Sequence, residues 1–178
     1  MSQKRFYLDL VFRSHESKQH VMVSKIVSVF HGYMNAETES HVALGFPKWQ
    51  PHCEFEKTRF GDTVRLVGDR VDLQILSNNA VYNKLADEGL LNISAIKVVP
   101  EEDCAEVRFI RNRTIEKMYA QKRAREIKRF LPHFSIKGCK GKQLFTMHVG
   151  MEKAEERIDG SYTTYGFSKR DGATFPLF

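Results

Sequence analysis

The pattern of apolar and polar positions divides the chain into an alternating first half and a less regular second half. Phe6 to Phe12 reads FYLDLVF and predicts a strand. Ser17 to Met34 carries Val23, Ile26, Val27, Phe30 and Met34 at helical spacing, with Gly32 at the fraying end. Val42 to Phe46 is a short apolar strand stopped by Pro47, and Thr63 to Val67 is another, closed by Gly68-Asp69. Val71 to Ala86 places Val71, Ile75, Leu76, Val81, Leu85 and Ala86 as one helix would, although Asn78-Asn79 weaken its centre. Ile93 to Val99 reads as a last strand, ended by Pro100. The order β-α-β-β-α-β over about 95 residues is the ferredoxin-like signature.

Pro100-Glu-Glu-Asp-Cys104 is an acidic connector and a domain boundary in this reading. The predicted class is α+β, with a ferredoxin-like domain over 1–100 and a smaller α/β domain over 101–178. In the second half, Val107 to Ile110 is a strand leading into a helix from Thr114, a plausible N-cap, to Phe130. Glu116 sits in its first turn, where the helix dipole favours an acid, and Leu131-Pro132 ends it. Phe134 to Lys137 and Gln143 to Val149 flank a basic hairpin tip, Gly138-Cys-Lys-Gly-Lys142, and Asp159-Gly160 reads as a turn.

Charge sharpens this picture. Between Arg108 and Lys142 there are 12 bases against two acids, a net +10 in a chain whose total is +6. Everything outside that stretch therefore sums to −4. A local basic stripe is the footprint of a polyanion site. Within the helix, Lys117, Gln121, Lys122, Arg125, Lys128 and Arg129 fall in one arc of roughly 140°, and both acids lie outside it. Solvated helix faces normally interleave both signs, so a phosphate-facing helix is expected. Lys137 and Lys140 extend the basic surface to the hairpin tip. The opposite side of the helix is half alanine and charge, which does not suit a membrane surface.

Composition bounds the rest. With 42% hydrophobic and 28% charged residues the chain folds and is not disordered. No apolar run approaches the ~20 residues of a membrane span, and the start of the sequence lacks a signal-peptide pattern. Cys53, Cys104 and Cys139 are odd in number and far apart, which suggests reduced thiols in a cytoplasmic setting. No CxxC, HExxH or clustered His/Asp spacing is present, so neither a metal nor another cofactor is expected.

RNA supplies its own nucleophile: a 2′-OH can attack the adjacent phosphate if a base takes its proton and cations hold the phosphate. Histidine is the natural base near neutral pH. His31 stands out among the seven histidines because it closes an otherwise apolar helix, though a lone histidine in such a place is more often structural. Phe145, just beyond the basic tip, is either a stacking platform for an exposed base or a core strand residue.

Five ordered patterns resemble the type I-F CRISPR RNA-processing endoribonuclease family. They are Val29-Phe-His31-Gly, Val42 to Pro47 followed by Trp49, and Phe109-Ile-Arg-Asn-Arg-Thr-Ile-Glu-Lys117 entering the arginine-rich helix. The others are Phe145-Thr-Met-His-Val149 and Tyr162-Thr-Thr-Tyr165-Gly-Phe-Ser-Lys169. The resemblance implies metal-independent cleavage of a precursor transcript at the base of its repeat hairpin, leaving a 2′,3′-cyclic phosphate. It also implies retention of the product as a subunit of the type I-F targeting complex, beside its backbone and other subunits. On it, His31 is the base that takes the 2′-OH proton, Tyr165 orients His31, and Phe145 stacks under the last base pair. Arg111 and Arg113 lie where the family contacts bases near the cut. The family's active-site serine falls on Gly138; Ser135, nearby on a different register, is then the candidate to position the 2′-OH, with Lys137 or a backbone amide as alternatives. That departure keeps a second reading open, a catalytically weak or inactive hairpin-binding subunit.

Overall fold

The computed structural model describes residues 4–13, 19–36, 41–51, 59–120, 131–137 and 144–178. The first sheet is built from β1 (Phe6–Phe12), β2 (Ala43–Gly45), β3 (Thr63–Gly68), β4 (Leu91–Ile93) and β5 (Lys97–Val98). Its order is β2-β3-β1-β4, with β5 also on β1, and all its pairings are antiparallel. This is the ferredoxin-like arrangement the sequence predicted. The helices α1 (Gln19–Ala36), α2 (Arg70–Ser77) and α3 (Ala80–Asp87) complete this half.

The second sheet has order β7-β8-β6-β9, formed by β6 (Ala105–Arg111), β7 (His133–Lys137), β8 (Leu144–Lys153) and β9 (Phe175–Leu177). Helix α4 is described over Arg113–Ala120. Lys122, Arg125, Lys128, Arg129, Gly138 and Lys140 lie outside the described residues, as do Cys53 and Cys139.

Four local expectations are corrected. The helix over Val71 to Ala86 is two helices, because the Asn79 side chain accepts the Val81 N–H at 2.9 Å and caps a new start. The strand over Ile93 to Val99 is broken at Ser94, whose hydroxyl accepts the Asp9 N–H at 2.9 Å in place of a ladder bond. Helix α1 runs through Gly32, which faces open space, and ends at Ala36. The cap of α4 is Asn112, not Thr114; its side chain accepts the Ile115 N–H at 3.0 Å. A fifth difference lies near the C-terminus. The turns there fall at Thr163–Gly166 and Lys169–Gly172, closed by bonds of 2.8 and 3.1 Å, and not at Asp159-Gly160.

The two sheets share one buried cluster. Phe46 meets Phe109 edge-on at 5.4 Å, and Phe109 meets Phe175 at 5.3 Å. Gly45 permits this seam: a Cβ there would lie 2.5 Å from the Phe175 ring. Helix α1 lies along β7, where the Ser24 hydroxyl donates to the Ser135 carbonyl. Among the described residues, no helix is long and apolar enough to cross a membrane.

Candidate active site

Helix α1 buries Val23, Ile26, Val27 and Phe30 completely. His31, one position past Phe30, is rotated to the edge of that face and is half-buried. It meets the turn Thr163–Gly166. The Gly166 N–H closes this turn on the Thr163 carbonyl, and the Gly166 carbonyl accepts the Leu44 N–H of β2 at 2.8 Å. Gly166 has φ +76°, and a Cβ there would lie 2.6 Å from that of Leu44. Only glycine fits the position on both counts.

The anchored turn presents two groups to the imidazole. The Thr164 carbonyl lies 3.0 Å from His31 Nδ1, and the Tyr165 ring stacks on the imidazole at 4.1 Å and 17°. A carbonyl oxygen only accepts, so Nδ1 carries the proton and the lone pair of the neutral ring is on Nε2. Tyr165 thus touches His31 through its ring face, as an orienting residue can.

Arg111, at the end of β6, sits beside the same tyrosine. Its Cζ is 5.7 Å from the centre of the Tyr165 ring and 5.4 Å from that of Phe145. Glu116 of α4 holds the guanidinium at 2.7 Å and also accepts the His148 N–H at 3.3 Å. The hydrogen bond that Arg111 donates to Glu116 raises the Arg111 pKa above its ordinary value, against the opposing effect of burial. His31, Tyr165, Arg111 and Glu116 therefore form a continuous chain of contacts from α1 to the first turn of the basic helix.

Phe145 is half-buried, opposite Ile136 in the β7–β8 register, and meets Tyr165 edge-on at 6.4 Å. Both readings of it survive: it closes the cluster and retains an accessible part. Ser135 reaches α1 through its backbone carbonyl, whereas its hydroxyl lies 3.3 Å from that of Thr146. By strand alternation that is the face away from Ile136 and Phe145. Arg113, Lys117 and Lys137 are exposed.

A cleft of about 600 Å³ opens on the far side of the turn, lined by Arg111, Arg113, Glu152, Tyr165, Lys169 and Arg170 among others. Lys169 and Arg170 were not among the sequence candidates. Only their turn, folded back on β6, brings them to Arg113. Elsewhere, Glu101, Cys104 and Glu106 offer ligand atoms within 4.8 Å of one another, which spacing rules did not flag. The Arg5 guanidinium bonds both carboxylates, so their charge is already matched from within the chain.

Fold and site together describe a two-sheet α+β protein with a half-buried imidazole and, beyond the turn that holds it, a cleft lined largely by cationic and polar side chains. The chain belongs to the family described as CRISPR-associated protein (Cas_Csy4), whose match covers residues 7–130. It is a CRISPR-associated RNA-processing protein of an endoribonuclease family. The matched span contains His31, Arg111, Arg113 and the basic run from Lys117 to Arg129; Ser135, Phe145 and Tyr165 lie beyond it. Comparison with curated proteins finds no match.

Proposed function

We propose that the protein binds the hairpin of a CRISPR repeat and cuts precursor CRISPR RNA at the hairpin base without a metal. His31 Nε2 takes the proton of the ribose 2′-OH. The O2′–P bond forms as the P–O5′ bond breaks, and the 5′-oxygen is protonated from water. The products are a 2′,3′-cyclic phosphate and a 5′-OH. The nucleophile is internal to the substrate, its proton acceptor is an imidazole, and cationic side chains meet the phosphate charge. Each element of a metal-free reaction is thus supplied. Phe145 stacks under the last base pair, and the basic helix, with Lys117, Lys122, Arg125, Lys128 and Arg129, follows the backbone. Lys137 and Lys140 add to that grip from the hairpin tip, and the cut RNA stays bound as part of the targeting complex.

The observation that carries this reading is the pairing of His31 Nδ1 with the Thr164 carbonyl, because it assigns the basic lone pair to Nε2. The test is incubation with the repeat RNA in EDTA. Cleavage is expected, along with its loss on 2′-deoxy substitution at the cut. His31→Ala is expected to abolish cutting with hairpin affinity nearly intact. Continued cutting of the 2′-deoxy RNA would rule out the internal nucleophile.

A second reading, a hairpin-binding subunit with weak or no catalysis, is favoured by one observation. On the resemblance, glycine at 138 stands where the family has its serine, and the nearby Ser135 hydroxyl is turned to Thr146. Intact RNA after the EDTA incubation, with tight hairpin binding, would select it.

A further inference from the structure

The cleft beside Tyr165 carries positive charge that the reaction above does not use. Arg111 is held by Glu116, but Arg113, Lys169 and Arg170 are exposed and enter no ion pair among the described residues. Glu152 is the opposing acid in the lining. Lys169 and Arg170 are presented on a braced turn. The Gly172 N–H closes it on the Lys169 carbonyl at 3.1 Å, and Arg108 Nε donates to the Gly172 carbonyl at 3.0 Å. On the near side, the Ser168 N–H donates to the Phe109 carbonyl at 2.9 Å.

The position of the cleft says which part of a substrate it meets. Its wall at Thr163 to Tyr165 is the same turn whose carbonyl and ring clamp His31. Its floor includes the start of α4, whereas Phe145, Lys117 and Lys137 do not line it. In the reading above the hairpin is gripped by Phe145, Lys117 and Lys137, all outside the cleft, so the cleft is left for the RNA on the other side of the reacting phosphate, the strand released through its 5′-oxygen. The volume falls in the range of pockets that take a nucleotide-sized group. Cations lining a groove suit the backbone of a single strand.

We infer that this cleft binds the phosphates of the single-stranded RNA that continues 3′ of the cut, through Arg113, Lys169 and Arg170. The inference rests on the reading of His31 as the base, and it adds a subsite for the departing strand.

The test uses the full chain and RNA carrying a 2′-deoxy residue at the cut, so that the substrate stays intact. A hairpin ending at the cut is compared with one bearing a short 3′ extension. The extension is expected to tighten binding roughly tenfold and, with three phosphate contacts at ~0.7 each, to steepen the salt slope by about 2. In the double variant Lys169→Ala, Arg170→Ala the ratio of the two affinities is expected to fall towards one. Methylphosphonate linkages in the extension are expected to do the same to the unaltered protein. A gain that survives both changes, or that follows a 5′ extension in place of the 3′ one, overturns the assignment. Cutting of all-ribose RNA in EDTA is scored in parallel. A chain that fails to cut yet keeps the extension-dependent gain overturns the catalytic reading and leaves the cleft as a strand-binding site.

Discussion

The imidazole of His31 lies flat against the ring of Tyr165, 4.1 Å away and 17° from parallel. The contact is face to face, so orientation depends on the ring. Tyr165→Phe is expected to retain cleavage within a few-fold, whereas Tyr165→Ala loses about 10–100-fold through misplacement of the base. Single-turnover rates at saturating protein measure this. Equal losses in the two variants would assign the role to the hydroxyl instead.

Gly166 carries the second half of the clamp. Gly166→Ala forces a side chain into a positive-φ position and against Leu44. A destabilisation of about 1–3 kcal/mol is expected, read by urea unfolding, with slower cutting because the Thr164 carbonyl moves. Unchanged stability would mean that the turn tolerates relaxation away from β2.

The Arg111–Glu116 pair is partly buried, with side-chain exposures of 24% and 14%. Glu116→Gln is expected to cost about 1–2 kcal/mol of stability. It should also slow cutting, since Arg111 loses what holds it beside Tyr165. A double-mutant cycle with Arg111→Gln isolates the pair; a coupling near zero would remove the proposed link between α4 and the tyrosine.

His148 gives the fold a pH dependence. Burial, and next the neighbouring His133, lower its pKa from 6.5 to about 4, with Glu116 opposing. Between those values the unfolded chain binds the proton and the folded chain does not. Its contribution is therefore fully present above pH 6.5, falls as the pH drops towards 4, and is level below. The difference amounts to about 3 kcal/mol. Urea unfolding across this range, compared with His148→Gln, checks it: the variant should lack that part of the slope.

Much of the first half was legible because β1 alternates, β2 and β3 are short runs stopped by Pro47 and Gly68, and α1 carries an apolar stripe. Phe6 to Phe12 was read to the residue. Three of the five misreadings share one cause: a polar side chain took over a backbone bond. Asn79 split a helix, Ser94 interrupted a strand, and Asn112 displaced Thr114 as a cap. At the site, His31 stood out by its residue type and its place on an apolar helix, whereas Tyr165 was named only through the family resemblance. The Thr164 carbonyl was not nameable, since every residue has one and only the docking of Gly166 on Leu44 selects it. Lys169 and Arg170 escaped notice for a related reason. Their neighbours across the cleft are distant in sequence, so no local charge run announced them.

The bond between Leu44 and Gly166 also sets an order of events during synthesis. A chain emerging from the ribosome displays its histidine long before the loop that steadies it has been made. On the proposed reading of His31 as the base, competence therefore arrives late, when the two distant segments have met, and a half-made product carries an imidazole with nothing to aim it.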